Sequence, residues 1–595
     1  MTGPGTQTQT TLFFGGNYLT FLFLLLLCFA CKNEPSSDEI RLDLEKNGGL
    51  FLPDGFEAVA VVNRLEGMAR HIAVNDNGDI YVKLRRPDEA GGNAVLRDND
   101  GDGRADVIKK FGTYPVHGAY GTGMRIHNGY LYYSSQTTVY RQKLTPGEMV
   151  PESEMETIVI DDHEESRREH IAKPMAFDNE GHIYIPVGGP SNACQDPKRT
   201  PGVPGQDPCP LLETYAGIWR FDADKPNQLH SQGYKYATGI RSLVGLEWNP
   251  ADSSLYSVMH GRDDLLRLFG NKFSPWQSAV LPSEEFIRIK EGDNYGWPYC
   301  YYDQIKEQKL LAPEYGGDGI IVGRCDTFDL PIMGFPGHWA PNDLLFYQGD
   351  QFPARYKEGA FVAFHGSTNR APYPQAGYIV AFIPFRDGKP TGEWEVFADG
   401  FARVDTIVSV SDAVFRPMGL ATGPDGSLYI GDTEQGAIWR VSYTGGTADF
   451  GAPQLAKMEE RKDLPHLRTP DEQADNLQKD VADLGALTYR TYCAPCHQGN
   501  GKGDSSRFPP LAGADWVTGD KERLINLILN GLDGAIEVNG TTYTGVMPQH
   551  AFLSDEQIAE VLTYIRSNFG NEADAVSEEE VQTIRQQIGG AEEVQ

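Results

Sequence analysis

Six stretches of the chain share one pattern of polar and apolar positions. They are NDNGDIYV around Ile80, HNGYLYYS around Leu131, DNEGHIYIPVG around Ile183, PADSSLYSV around Leu255, KEGAFVAF around Phe361 and GPDGSLYIGD around Leu428. In each, a turn rich in Gly, Asp or Asn feeds an alternating or apolar run, the signature of a strand entered from a tight turn. Six such units over residues 49–443 leave roughly 65 residues apiece, room for four short strands. Radial repetition of four-stranded sheets protects sheet edges, so the pattern predicts an all-β six-bladed β-propeller. A sandwich, or two smaller β domains, is the competing arrangement. The spacing of 51 and 52 residues between the first three units stretches later, which predicts insertions in blades four and five. Long insertions of this kind build sites.

The period then changes. Residues 444–474 mix Gly, Pro and charges and read as an interdomain linker. From 475 to 570 the apolar positions follow a helical repeat: Leu477, Val481, Leu484 and Tyr489, then Ile558, Val561, Leu562 and Ile565 behind a capping box of Ser554 and Gln557. Residues 571–595 form an acidic tail, with a helix expected from Ser577 to Ile588 behind a Ser577–Glu580 box. At the other end, Leu19–Ala30 is apolar but too short to span a bilayer, which predicts an export signal over residues 1–31. Residues 32–48 read as a flexible tether.

Composition narrows the function. A formal net charge of −31 leaves no basic face for nucleic acid. Of the eight Cys, Cys28 and Cys31 lie in the signal and Cys493 and Cys496 form a CxxCH with His497. That leaves Cys194 with Cys209 and Cys300 with Cys325 as disulfide candidates, as an oxidising compartment allows; free buried thiols are the plainer reading. The pair Ala30–Cys31 resembles the lipobox of bacterial lipoproteins, which implies a lipid anchor on Cys31. An ordinary cleaved signal is the alternative.

CxxCH is the attachment signature of c-type haem: two thiols bond one edge of the porphyrin, and the adjacent His reaches the iron. A zinc site would need a second pair of ligands, and this region holds no other Cys. GALTY (485–489), FPPLAG (508–513) and YTGVMPQH (543–550) around the motif resemble class I cytochromes c. The resemblance implies a small all-α domain with one haem c, held by Cys493 and Cys496 and ligated by His497 and Met547. A core role for Met547, or His550 in its place, is the alternative. His/Met ligation suits an electron acceptor.

IKEGDNYGWPYCYYD (289–303), FVAFHGSTNRAPYPQAGYIVAFIPF (361–385) and FRPMGLATGPDGSLYIGDTEQGAIWRVSY (415–443) resemble the sorbosone and pyranose dehydrogenase family. These are six-bladed quinoproteins that use pyrroloquinoline quinone (PQQ) and calcium. The resemblance implies His170 as the base that takes the sugar hydroxyl proton, a job suited to its pKa range. It implies Arg241, Arg370 and Arg416 as PQQ-binding residues, with Ser242 where the family has Asn. It also implies Gly261, Arg262 and Asp263 as the calcium segment, with His338 and His365 at the same mouth. For each Arg, a structural salt bridge is the plainer reading. Separately, Asp98, Asp100, Asp102 and Asp106 in LRDNDGDGRADVI alternate as in a hard-cation loop but lack the closing Glu of an EF-hand; an acidic hairpin turn is the alternative.

Together these readings predict an exported oxidoreductase. Its substrate is a sugar or polyol, its electrons pass to its own haem, and a downstream cytochrome or oxidase takes them on. A propeller without PQQ that only binds carbohydrate or a partner, and a metal-dependent lactonase-type hydrolase, are the rivals. Hydrolysis moves no electrons and leaves the haem unexplained.

Overall fold

The structure is a computed structural model, described over residues 41–113, 122–163, 169–446, 450–470, 484–504 and 507–592. The chain divides into a short leading unit, Met1–Leu42, and a large unit, Asp43–Gln595. Cys31 lies outside the described residues. Among them, no helix is long and apolar enough to cross a membrane.

Six sheets of four main strands form the propeller. The six turn-and-strand signatures are the second strands of the six blades: Ile80–Asp88, Tyr130–Ser134, His182–Val187, Ser254–Met259, Gly359–Phe364 and Leu428–Asp432. The ring is closed by the first strand of the chain, Phe56–Val62, which pairs antiparallel with the last, Ile438–Tyr443, in the register Phe56↔Tyr443 and Ala60↔Trp439. Phe56 packs edge-on against Phe352, Tyr356 and Phe397. Each such buried aromatic contributes roughly 1.5–3 kcal/mol. Near the axis Arg125 Nη2 bonds both Glu247 and Asp343, each at 3.1 Å, so one half-buried guanidinium serves two carboxylates.

The insertions fall in blades three and four, not four and five. Residues 188–216 follow the second strand of blade three, while residues 260–283 and 290–332 follow the second and third strands of blade four. Both disulfides form where the spacing placed them. Cys194–Cys209 closes the first insertion and Cys300–Cys325 the last, with Cα separations of 6.2 and 5.8 Å. They share one buried cluster with Trp297 and Tyr299, so each insertion is braced by the other.

The end of the tether and part of the linker are docked. Residues 43–48 of the tether hold the propeller: Asn63 Nδ2 donates to Asp43 (3.0 Å) and Trp439 Nε1 donates to the Gly48 carbonyl (3.1 Å). The linker carries a helix, Ala452–Glu459, whose Met458 joins Leu467 in the core of blades four and five. His466 bonds Asp399 at 3.0 Å. The apolar positions of this linker helix are too sparse for a periodic signal, so composition did not reveal it.

The C-terminal domain is helical with one hairpin, Ile536–Val538 against Thr541–Tyr543. Its final predicted helix is Asp555–Ser567, capped by Ser554 and Gln557 and burying Ile558, Val561, Leu562 and Ile565. Gly485 lets the first helix cross it closely: a Cβ there would stand 2.3 Å from the Glu560 carbonyl oxygen. The tail is not separate. Its helix, Glu578–Glu592, follows the expected Ser577–Glu580 box. It buries Val581 and Ile584 in the same core, and Arg585 clamps it to Asp555 at 2.7 Å.

Candidate active site

Propeller topology gathers the predicted residues on one face. Within a blade, successive strands are antiparallel, so the connection entering the innermost strand and the connection leaving the second strand open on the same side. His170, Arg241, His338 and Arg416 precede innermost strands of blades three to six; Gly261–Asp263 and His365–Arg370 follow second strands. Asp98–Asp106 joins the third and fourth strands of blade one and therefore lies on the opposite face.

Asp263 is the centre of the mouth. Its carboxylate accepts from Arg241 (2.9 Å), Arg199 (3.4 Å) and Asn369 (2.8 Å), and His338 Nδ1 lies 3.9 Å away. Burial alone would raise its pKa, but the guanidiniums of Arg241 and Arg199 outweigh that and hold it far below the usual carboxylate range. Arg241, 4% exposed, also donates to the Gly261 carbonyl (2.7 Å) and to Asn192 (2.9 Å). Beneath them Glu284 accepts from the backbone N–H of Gly261 (2.9 Å) and Ala340 (3.1 Å), and burial pushes its pKa up to about 7. Arg262 pairs with buried Glu314.

His170 sits beside this cluster with a left-handed φ of +52°, a conformation non-glycine residues adopt at some cost and often at functional sites. Gly188 makes room for it: a Cβ there would meet the His170 Cβ at 2.6 Å. The His170 Nδ1–H donates to the Gly189 carbonyl, which leaves the lone pair on Nε2. Burial, reinforced by the Arg241 charge, drives its pKa well below 6.5, so the imidazole is neutral at physiological pH. That is the state a proton-abstracting base requires.

The other two arginines differ. Arg416 is spent on the carbonyls of His365 (3.0 Å) and Gly366 and on Glu434 (3.3 Å). Arg370 is 1% exposed with Nε and Nη1 unpartnered, and burial lowers its pKa to about 10. His365 bonds Thr433 (2.7 Å) and His338 bonds the Ser278 carbonyl (2.8 Å). Asn192, Arg199, Glu284 and Asn369 were missed from sequence. Asn369 lies inside the HGSTNR run, whereas Asn192 and Arg199 sit in the insertion whose path no periodicity reveals. On the far face, Asp98, Asp100 and Asp106 converge, each offering an oxygen within 4.8 Å of the others; Asp102 is instead turned onto the Arg104 N–H at 2.8 Å.

In the C-terminal domain, a π-helical turn, Tyr489–Cys493, leads into the short helix Ala494–His497. Cys493, Cys496, His497 and Met547 line one cavity of about 1070 Å³, open mouth included, walled by Trp516, Leu524, Ile528 and Leu562. His497 Nδ1–H donates to the Pro509 carbonyl at 2.9 Å, which fixes the tautomer and leaves Nε2 for a metal. Met547 is held by paired backbone bonds to Leu532 of 2.9 and 2.8 Å. His550 shares the cavity, its pKa lowered by burial to about 4. Two thiols, one imidazole and an apolar slot fit haem c. In the propeller mouth, the unpartnered Arg241 Nε and Arg370 nitrogens fit an anionic cofactor, and the oxygens of Gly261, Asp263 and Glu284 are hard donors that fit calcium.

The cytochrome rests on the face that carries the mouth. Ser409, in the connection leading to Arg416, donates from Oγ to the Pro495 carbonyl at 2.8 Å. His550 feels the charges of Arg267 and Asp264, and Arg416 that of Arg507.

Known proteins agree with this division. Residues 50–444 match a family model described as TrAA12-like, and residues 482–569 match one described as cytochrome c. Cytochrome c-552 of Thermus thermophilus is 48% identical over 91 residues, 15% of this chain and 69% of that one. A pyrroloquinoline quinone-dependent sugar dehydrogenase of Hypocrea jecorina is 25% identical over 216 residues, 34% of this chain and 46% of that one. The chain thus spans about half to two thirds of the length of these relatives. The calcium structure of the Trichoderma reesei family AA12 enzyme superposes with a TM-score of 0.53 at 19% identity, covering 66% of this chain and 97% of that chain, a likeness of fold. By the match over its propeller this chain belongs to the TrAA12-like family, and it carries a cytochrome c domain on the C-terminal side.

Proposed function

We propose that the chain is an exported quinohaemoprotein that oxidises a sugar or related polyol in the propeller mouth and passes the electrons to its own haem c. The observation that carries this reading is the shared face. One side of the propeller holds a neutral base, a buried guanidinium cluster and hard oxygen donors, and the cysteine edge of the cytochrome sits on that side. The name of the Hypocrea relative and the fold of the Trichoderma enzyme support PQQ and calcium as the cofactors.

When bound, PQQ supplies the two-electron acceptor, made more electrophilic by calcium. Arg241, with Arg370 beneath, would hold its carboxylates; the Gly261 carbonyl and the Asp263 carboxylate would hold the ion. His170 Nε2 takes the substrate hydroxyl proton, and the Gly189 carbonyl keeps the imidazole in the tautomer that can do so. Arg416 positions the His365–Gly366 backbone at the rim. In the cytochrome, His497 Nε2 and Met547 would hold the iron, and Cys493 and Cys496 would hold the porphyrin edge.

Reconstitution tests the reading. Oxidised protein loaded with PQQ and calcium, then mixed with a panel of aldoses and polyols, is expected to show the absorbance of ferrous haem. Chelation of calcium should abolish that reduction, and added calcium should restore it. A spectrum that stays ferric across the panel, with no quinone bound, would overturn it. The location rests on separate grounds. Both disulfides are formed, as an oxidising compartment permits, and the apolar run ending at Ala30–Cys31 supports a lipid anchor on Cys31. Cys31→Ser is expected to move the protein from the membrane to the soluble fraction of its host; retention on the membrane would remove the anchor.

A further inference from the structure

The contact between the two domains is a run of buried bonds leading from the mouth to the haem attachment motif. Ser409 is fully buried, and its hydroxyl donates to the carbonyl of Pro495, the residue between Ala494 and the thioether position Cys496. Neighbouring Val408 packs against the cytochrome core. The loop is stiff: the N–H groups of Val408 and Ser409 both donate to Asp412, each at 2.9 Å. Behind it stands Gln375, also fully buried. Its Nε2 donates to the Val408 carbonyl (3.2 Å), its N–H to the Ile407 carbonyl (2.7 Å), and its Oε1 accepts from the Arg370 N–H (3.2 Å). Arg370, like Arg241, has guanidinium nitrogen without a partner at the mouth, in its case Nε and Nη1. Each link is a covalent bond or a hydrogen bond of 3.2 Å or less.

We propose that Gln375 and Ser409 are positioning residues for electron transfer: they dock the cytochrome by its cysteine edge and supply the bonded route from Arg370 to Cys496. The inference rests on the proposed dehydrogenase reading. Each passage moves one electron and converts ferric to ferrous iron. The two electrons of one sugar therefore cross in succession, and an external one-electron acceptor reoxidises the iron between them. The two protons leave through His170 and solvent. An ordinary core serine would satisfy backbone groups of its own domain alone. The Ser409 hydroxyl accepts from the Ser411 N–H of its own loop (3.4 Å) and also donates to a carbonyl of the other domain, inside the haem motif.

Ser409→Ala removes the donor and strands the Pro495 carbonyl with little change in volume. In the PQQ- and calcium-loaded protein, the rate of haem reduction after mixing with sugar is expected to fall about tenfold. Sugar-dependent reduction of a small dye at the mouth should be unchanged. A second measurement uses the protein without PQQ: amide hydrogen exchange at Val408, Ser409, Cys496 and His497 is expected to quicken in Ser409→Ala. Gln375→Leu should slow haem reduction in the same direction. Haem reduction at the wild-type rate in Ser409→Ala would overturn the proposal. If wild-type protein reduces neither dye nor haem, the dehydrogenase reading fails instead; unchanged amide exchange would then reject the docking contact on its own.

Discussion

His170→Ala is expected to lower sugar oxidation by about a thousandfold while leaving PQQ binding, haem content and both disulfides intact. The argument is electrostatic and geometric. The Gly189 carbonyl commits the Nδ1 proton, so Nε2 is the basic atom, and burial with the Arg241 charge keeps the ring neutral. The sign of the pH dependence follows. A folded pKa below 6.5 means that the base form persists as pH falls from neutral through 6.5, so the acid limb of log kcat/KM should lie below 6.5. The measurement is a dye-coupled pH–rate profile of the loaded enzyme. A variant with wild-type turnover, or an acid limb above 6.5, would remove His170 as the base.

The second large effect concerns the two thiols. The double variant Cys493→Ala, Cys496→Ala is expected to carry no covalent haem, seen as the loss of haem-stained protein on a denaturing gel. Electron delivery to an external cytochrome should fall to background, whereas dye-coupled oxidation at the mouth continues. The reason is structural: the thiols and His497 line the cytochrome's own cavity, and no residue of the Asp263 cluster lines it. Burial raises the free thiols to about 12 for Cys493 and about 11 for Cys496. Without haem they would stay protonated and poorly reactive rather than act as a redox pair. Loss of dye-coupled oxidation in the double variant would show that the mouth depends on the haem and would refute the division of labour.

Much of this was legible in the sequence because it depends on short-range pattern. The six turn-and-strand signatures each marked the second strand of a blade, since a Gly/Asp turn followed by a half-buried strand is a local code. The CxxCH and the two disulfide pairs depend on spacing alone. What the sequence hid is set by long-range contact. Ser409 carries no motif, and its role exists only because the Pro495 carbonyl arrives from 86 positions away. Asn192 and Arg199 lie in an aperiodic insertion. The linker and tail looked polar because helices that bury Leu455 and Met458, or Val581 and Ile584, show too little apolar repeat to distinguish them from solvated ones. Asp102 fits the alternation of a cation loop, yet it stands outside the group formed by the Asp98, Asp100 and Asp106 oxygens, its carboxylate on the Arg104 N–H.

The closure of the ring by Phe56–Val62 against Ile438–Tyr443 constrains how the molecule comes into being. The earliest strand made has no sheet to join until the ribosome has delivered the other five blades. Its partner is separated from it by nearly the whole domain, so closure is a late, slow event of high contact order. Until then Phe56 and its neighbours are an open adhesive edge. The cytochrome is synthesised after residue 443, so the strand that seals the ring always leaves the ribosome before the domain that sits on it.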